Sequence, residues 1–205
     1  MRASDIVQSN YVAWVEGPSD RIYLKRWISL FRPDLVEGIH YSIIFYGGRL
    51  LSHLSADDEE VTEFIRLRSL NQNLCVLMDS DKSSENDEIN DTKKRIVGEL
   101  SRGGSKAWVT AGREVENYID FGLLHEAIKK IYPRKYHSSG SGGMYQHALH
   151  FYPLTESGNR SSKLFTESDK VKVARELVKD VLDTRILDLN EQLADLVDRI
   201  GRAND

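Results

Sequence analysis

Four short, unbroken apolar runs constrain this chain more than any other feature: Tyr11–Val15 (YVAWV), Tyr41–Tyr46 (YSIIFY), Leu74–Met78 (LCVLM) and Ala107–Val109 (AWV). A strand with one wet face alternates apolar and polar residues, whereas a run that is apolar throughout buries both faces. Between the runs lie stretches with helical spacing. Residues 19–31 place Ile22, Tyr23, Trp27, Ile28 and Leu30/Phe31 on one side, with Ser19, just after Pro18, as the expected N-cap. Residues 57–69 repeat the pattern with Val61, Phe64, Ile65 and Leu67, after a turn at Gly47-Gly48. The polar segment SSENDEIND leads into a third helix at about 88–102. This order predicts an α/β fold: an open parallel sheet flanked by helices.

The character changes after residue 120. A helix is expected at 122–132 (Leu123, Leu124, Ala127, Ile128, Ile131), then a flexible Ser/Gly loop at 137–143 (HSSGSGG). Ala174, Leu177, Val178, Val181 and Leu182 have helical spacing, as do Leu189, Leu193, Leu196, Val197 and Ile200. Asp188 with Glu191 reads as a capping box for the last helix. The expected organisation is a catalytic α/β domain over 1–121 and an additional C-terminal helical region over 122–205, packed on or beside it. Its apolar Leu177, Val181, Leu193 and Ile200 either pack on the sheet or join two copies in a homodimer.

Composition narrows the class. The 205 residues are 40% hydrophobic, enough for a packed core, and 28 Lys and Arg face 32 acids for a net charge of −4. That excludes a uniformly basic coat but not a locally basic groove. The single Cys75 excludes a disulfide framework and a Cys-rich zinc site, and its place in an apolar strand makes it a core residue. No apolar run approaches the roughly 20 residues that span a bilayer, and MRASDIVQSN lacks the apolar core of a signal peptide. The expectation is a soluble cytoplasmic protein, or a piece of one, with no membrane partner. There is no Gly-x-x-x-x-Gly-Lys-Ser/Thr loop for a nucleotide.

Chemistry is carried by three acidic motifs, each just after a predicted strand: Glu16-Gly-Pro-Ser-Asp20, Asp79-Ser-Asp81, and Arg113-Glu114-Val-Glu116-Asn-Tyr118. Open parallel sheets bind ligands at the carboxyl ends of their strands. Six carboxylates, Glu16, Asp20, Asp79, Asp81, Glu114 and Glu116, therefore share one edge. Like charges at close range resist joint ionisation, and a divalent cation removes the conflict. Oxygen ligands without His or Cys select Mg²⁺ or Mn²⁺ over zinc. The set is large enough for two ions about 3.5–4 Å apart, a pair suited to phosphodiester hydrolysis. Taken singly, any of these acids is an ordinary surface group, and Asp20 and Glu116 also suit helix N-termini. The case rests on three motifs in order.

At these residues the chain resembles a Toprim domain, with Glu16-Gly17 after the first strand and Asp79-Ser80-Asp81 after the third. The finer pattern, EGPSD (16–20), DSD (79–81), REVENY (113–118) and a late Lys170-Val-Lys-Val-Ala174, is similar to the OLD (overcoming lysogenization defect) branch over roughly residues 11–180. The resemblance implies a Toprim-like sheet and metal-dependent cleavage of DNA, in a bacterial or phage-related setting often tied to phage defence. OLD proteins join this nuclease region to an ATPase domain that is absent from this chain. On this reading Glu16, Asp79 and Asp81 hold one ion, and Asp20, Glu114 and Glu116 hold or bridge a second. Lys170, with Lys163 and Lys172 as rivals, neutralises charge at the phosphate. Glu16, Asp79 and Lys170 are the catalytic candidates.

Other residues carry weaker signals. Arg49 and Arg113 are candidate phosphate contacts, Arg113 alternatively pairing with the acids. Lys129, Lys130, Arg134, Lys135 and His137, interleaved with Tyr132 and Tyr136, form a candidate DNA-backbone contact or a solvated helix end. His147 and His150 lack a third zinc ligand. Tyr118 suits packing or hydrogen bonding at a helix start rather than nucleophilic attack. Two other functions compete. A haloacid-dehalogenase-like phosphatase would use Asp79 as a covalent nucleophile but leaves EGPSD and REVENY unexplained. A non-catalytic Toprim module binding metal or a partner protein does not need all six acids.

Overall fold

The computed structural model describes residues 9–46, 73–102 and 105–205. Gly47, Gly48, Arg49 and the helix expected at 57–69 lie outside the described residues. Four strands, β1 (Val12–Val15), β2 (Ser42–Phe45), β3 (Leu74–Met78) and β4 (Lys106–Val109), form a wholly parallel sheet in the order β2-β1-β3-β4. Val12 pairs with both Ser42 and Leu74, and Cys75 with Lys106, so the strands end nearly level.

The two-residue period of a strand explains the apolar runs. Ala13, Val15, Cys75 and Leu77 face one core, which extends into the C-terminal helices. Val12, Trp14, Leu74, Val76 and Met78 face another, closed by Ile96 and Leu100 of the helix α2 (Asp91–Arg102). The α/β architecture with helices flanking a parallel sheet is therefore as expected.

The crossing from β1 enters α1 (Pro18–Phe31), which buries Tyr23, Leu24, Trp27 and Ile28. Its cap is Gly17, not Ser19. Pro18 occupies the first helical position, where its missing N–H costs nothing, and this moves the cap one residue ahead of the proline. Asp20, in the first turn, accepts a hydrogen bond from the Gly17 N–H (2.9 Å).

After β4 come a 3₁₀ turn (Val115–Tyr118), α3 (Phe121–Ile131), an antiparallel pair β5 (Tyr136–Ser139) and β6 (Phe151–Pro153), α4 (Lys170–Leu177) and α5 (Leu189–Asn204). Residues 122–205 are thus not purely helical. His137, Ser138 and Ser139, expected in a flexible loop, belong to β5, because ladder partners in β6 outweigh the weak strand preference of serine. Helix α4 stops at Leu177, leaving Val181 83% exposed rather than in the apolar stripe. Asp188 makes no capping bond from its side chain. Its carboxylate instead accepts from the Tyr118 hydroxyl (2.7 Å) and from Gln192 (2.9 Å).

Leu177, Leu193 and Ile200 are fully buried in the same core as Val15 and Leu77. They therefore pack on the sheet layer through α1 instead of offering a face to a second copy. Among the described residues no helix is long and apolar enough to cross a membrane.

Candidate active site at the carboxyl edge of the sheet

Parallel strands that end level deliver whatever follows them to one edge. Glu16 follows β1 directly, Asp20 sits one turn into α1, Asp79 follows β3 directly, and Glu114 caps the 3₁₀ turn after β4. The electrostatics report their proximity. Asp79 holds its proton well above the usual carboxylate range, chiefly because it is desolvated, with Lys170 opposing and Glu116, Asp20 and Glu16 reinforcing. Glu16 is raised by burial and then by Asp20 and Asp81, against Lys170 and Lys93. Asp20 is raised by burial, against the Gly17 N–H, Lys170 and the Ser19 hydroxyl.

A lattice of short bonds locks the second motif to the third. The Ser80 hydroxyl donates to the Gly112 carbonyl (2.7 Å), and the Ser80 N–H donates to Thr110 Oγ1 (2.9 Å). The Val115 N–H donates to Asp79 Oδ1 (2.8 Å), and the Asp81 N–H to the Arg113 carbonyl (3.0 Å). Asp81 adopts φ 58°, in the left-handed region, where Asp and Asn are the least disfavoured side chains after Gly. Asp81 is exposed and pairs with the buried Lys93, whose ammonium also donates to the Asp79 carbonyl (2.7 Å).

The third motif is built inward. Glu114 Oε1 accepts the Ala148 N–H (2.8 Å), fastening a distant loop to the site. Lys170 Nζ stands 3.2 Å from Glu114 Oε2 and 3.2 Å from Glu116 Oε2. Desolvation pulls the Lys170 proton affinity down, yet Glu116, Glu114, Asp79 and Asp20 together hold it well above its ordinary value. These carboxylates also explain how a cation is tolerated at the first position of α4, where the helix dipole opposes it. Lys172 pairs instead with Asp169 (3.1 Å), and Lys163 lies on the surface.

Glu116 is fully buried. Burial first, and then Glu114 and Asp20, push its carboxyl up to about 7 against the pull of Lys170. Its Oε1 is buried with no hydrogen-bond partner. Such an orphan costs about 1–3 kcal/mol, more if charged.

Hard oxygen donors, raised proton affinities and an orphaned carboxylate oxygen fit a divalent cation such as Mg²⁺ or Mn²⁺. Among the described residues no three acidic, His or Cys side chains are already gathered as a ligand set. The acids divide by engagement. Asp20 is held through both oxygens by Gly17 and Ser19, and Glu114 through both by Ala148 and Lys170. Glu16, Asp79, Asp81 and Glu116 each keep at least one carboxylate oxygen without a hydrogen bond among the described residues.

The remaining candidates fall elsewhere. Arg113 neither enters the acidic cluster nor points free; its guanidinium donates to the Lys82 carbonyl (3.1 Å) and Ser83 Oγ (2.9 Å). Tyr118 is buried, accepting from Trp108 Nε1 (3.2 Å) and the Ala111 N–H (3.0 Å). Cys75 is a buried thiol pushed up to about 12 by desolvation. His147 reaches the rim of the site, with Nδ1 3.9 Å from Glu114 Oε2, and stacks on His150 at 4.4 Å.

Sequence reasoning missed Lys93 and the Ala148 amide. A lysine in the first turn of a helix reads as solvated, and a backbone donor has no sequence signal at all. No family model, curated protein or solved structure matches the chain.

Proposed function

We propose that the chain is a Toprim-like, Mg²⁺- or Mn²⁺-dependent endonuclease that hydrolyses DNA phosphodiester bonds. The observation that carries this reading is the meeting of carboxylates from three strand ends with Lys170 at one sheet edge, where an oxygen of buried Glu116 lacks a partner. A hydrolase that attacks a phosphodiester must bind a negatively charged group at an acidic site, which requires cations. Glu16, Asp79, Asp81 and Glu116 would hold two metal ions, which when bound supply activation of water and stabilisation of the leaving oxygen.

The chain's own residues do the positioning. Asp20 fixes the Gly17 turn and with it Glu16. The Val115 N–H and the Ser80 bonds aim Asp79. Lys170, 43% exposed at its side chain, is available to a phosphate oxygen once the carboxylates are otherwise neutralised. The OLD-like motifs further support a role as the nuclease part of an ATPase–nuclease in the cytoplasm, of the kind used in phage defence.

The test is incubation of supercoiled plasmid with Mg²⁺, Mn²⁺, Ca²⁺ or EDTA, beside a Glu16→Ala control. Metal-dependent nicking or linearisation that vanishes in the variant is the expected result. Intact plasmid, single strands and RNA under every condition overturn the reading, as does a covalent aspartyl-phosphate trapped at Asp79.

A further inference from the structure

Charge is unevenly distributed along this acidic chain. Between Ala127 and Thr166 there are six Lys and Arg, Lys129, Lys130, Arg134, Lys135, Arg160 and Lys163, and one acid, Glu156. All six cations are exposed. Lys130 stands 3.6 Å from Glu176; the other five make no ion pair among the described residues. Most described cations elsewhere do have carboxylate partners, including Arg21 and Lys25 on Glu37, Lys93 on Asp81 and Lys106 on Asp195.

The fold gathers two separate stretches of this segment around the β5–β6 pair. The Leu154 N–H donates to the Lys135 carbonyl (2.7 Å), and Leu154 bridges to Arg160. Two of the cations are held in place by rings. The Lys135 ammonium lies 3.3 Å from the Phe165 ring centre, and the Arg160 guanidinium 3.5 Å from that of Tyr152. Charges fixed in this way lose less entropy on binding than free side chains. The two interleaved tyrosines do not serve as stacking platforms. Tyr132 accepts the Asp169 N–H (2.9 Å), and the Tyr136 hydroxyl meets His125 Nδ1 (3.1 Å). With cations over Tyr152 and Phe165, and Tyr132 and Tyr136 turned inward, this face offers charge to phosphates and no ring among these four to a base.

The same β5–β6 unit is bolted to the acidic edge. Its connecting loop takes hydrogen bonds from Asn117 at the Gly143 (3.2 Å) and Gln146 (3.1 Å) carbonyls, and gives one from Ala148 to Glu114. Tyr152 lies four positions after Ala148, at most about 14 Å of chain, or roughly four base-pair rises along a duplex. We propose that the Lys129–Lys135 and Arg160–Lys163 face is a sequence-neutral track for the sugar–phosphate backbone of duplex DNA, leading it to the carboxylate edge. This rests on the nuclease reading for its destination, but not for its test.

Fluorescence anisotropy of a labelled 20-base-pair duplex, in EDTA so that nothing is cut, reads binding alone. Five unpaired cations predict a slope of log affinity against log salt of about −4 to −5. Arg134→Ala/Lys135→Ala/Arg160→Ala should reduce the slope by about 3 and weaken binding roughly 100-fold at about 0.1 M salt. Lys25→Ala should change neither, and two unrelated duplex sequences should bind equally. A triple variant that binds like the parent overturns the proposal. So does tighter binding of single strands, or capture by anionic vesicles without duplex binding. Duplex binding lost in the triple variant of a chain that never cuts would leave the track standing and refute the nuclease reading. Cutting with unchanged binding in the triple variant would do the reverse.

Discussion

Glu116 offers the sharpest quantitative test. Its carboxyl is fully buried and titrates near 7 in the folded chain against an ordinary value of 4.5. For an acid raised on folding, the penalty is absent below the unfolded value, where both states are protonated. It grows as pH rises through the interval, because the unfolded chain releases its proton first. It is complete above the folded value. At 1.36 kcal/mol per pH unit the interval corresponds to about 3 kcal/mol. Glu116→Gln keeps the shape and removes the charge. In urea denaturation with EDTA, the stability of the variant relative to the parent should rise by about 3 kcal/mol between pH 4 and pH 8, nearly all of it between 4.5 and 7. The comparison cancels most other titrations, though Asp79, coupled to the same charge, adds in the same direction. A difference that stays flat with pH, or that grows in favour of the parent, refutes the reasoning. It would mean that the ion pair with Lys170 outweighs desolvation and that Glu116 carries its charge without strain.

Three further outcomes are expected. Mg²⁺ at a hundred times its dissociation constant at pH 7 should add about 2.7 kcal/mol to unfolding, and that same concentration should add more at pH 8 than at pH 6 because ligation competes with protons on Asp79 and Glu116; calorimetric scans showing an equal gain in Asp79→Asn would contradict the proposed site. Tyr118→Phe removes the acceptor of the buried Trp108 N–H and the half-buried Ala111 N–H and the donor to Asp188, and should cost about 1–3 kcal/mol in urea unfolding while leaving the Mg²⁺ response intact. Gly112→Ala would place a Cβ 2.7 Å from Asn117 Cβ and 2.9 Å from the Met144 carbonyl; it should cost about 1–3 kcal/mol and depress plasmid cleavage by displacing the turn that carries Glu114 and Glu116, and unchanged cleavage would show that the turn tolerates the shift.

The four strands of the parallel sheet were legible to within a residue because each is a continuous apolar run, buried on both faces, whereas β5 and β6 carried no such run. Helix limits were less legible. Pro18 moved the cap of α1 to Gly17, and α4 stopped before Val181 although the helical spacing continued. Periodicity measures which residues share a face, not where the backbone leaves the helix. The Ser/Gly stretch beginning at His137 misled for a related reason: its composition signals freedom, but strand β6 supplied partners that composition cannot show.

The acidic residues were nameable in advance because each follows a strand, and parallel strands that end level carry their sequels to one edge. Their number and order are properties of the sequence alone, as is the need for a counter-charge. Which acids are engaged through both oxygens and which keep an oxygen free, that Lys170 and not Lys163 or Lys172 reaches them, and that a buried Lys93 and the Ala148 amide complete the cluster were decided only by tertiary packing. Those distinctions depend on desolvation and on distances of about 3 Å between groups as much as 56 residues apart in sequence. Local pattern encodes neither quantity, and only the closed fold sets them.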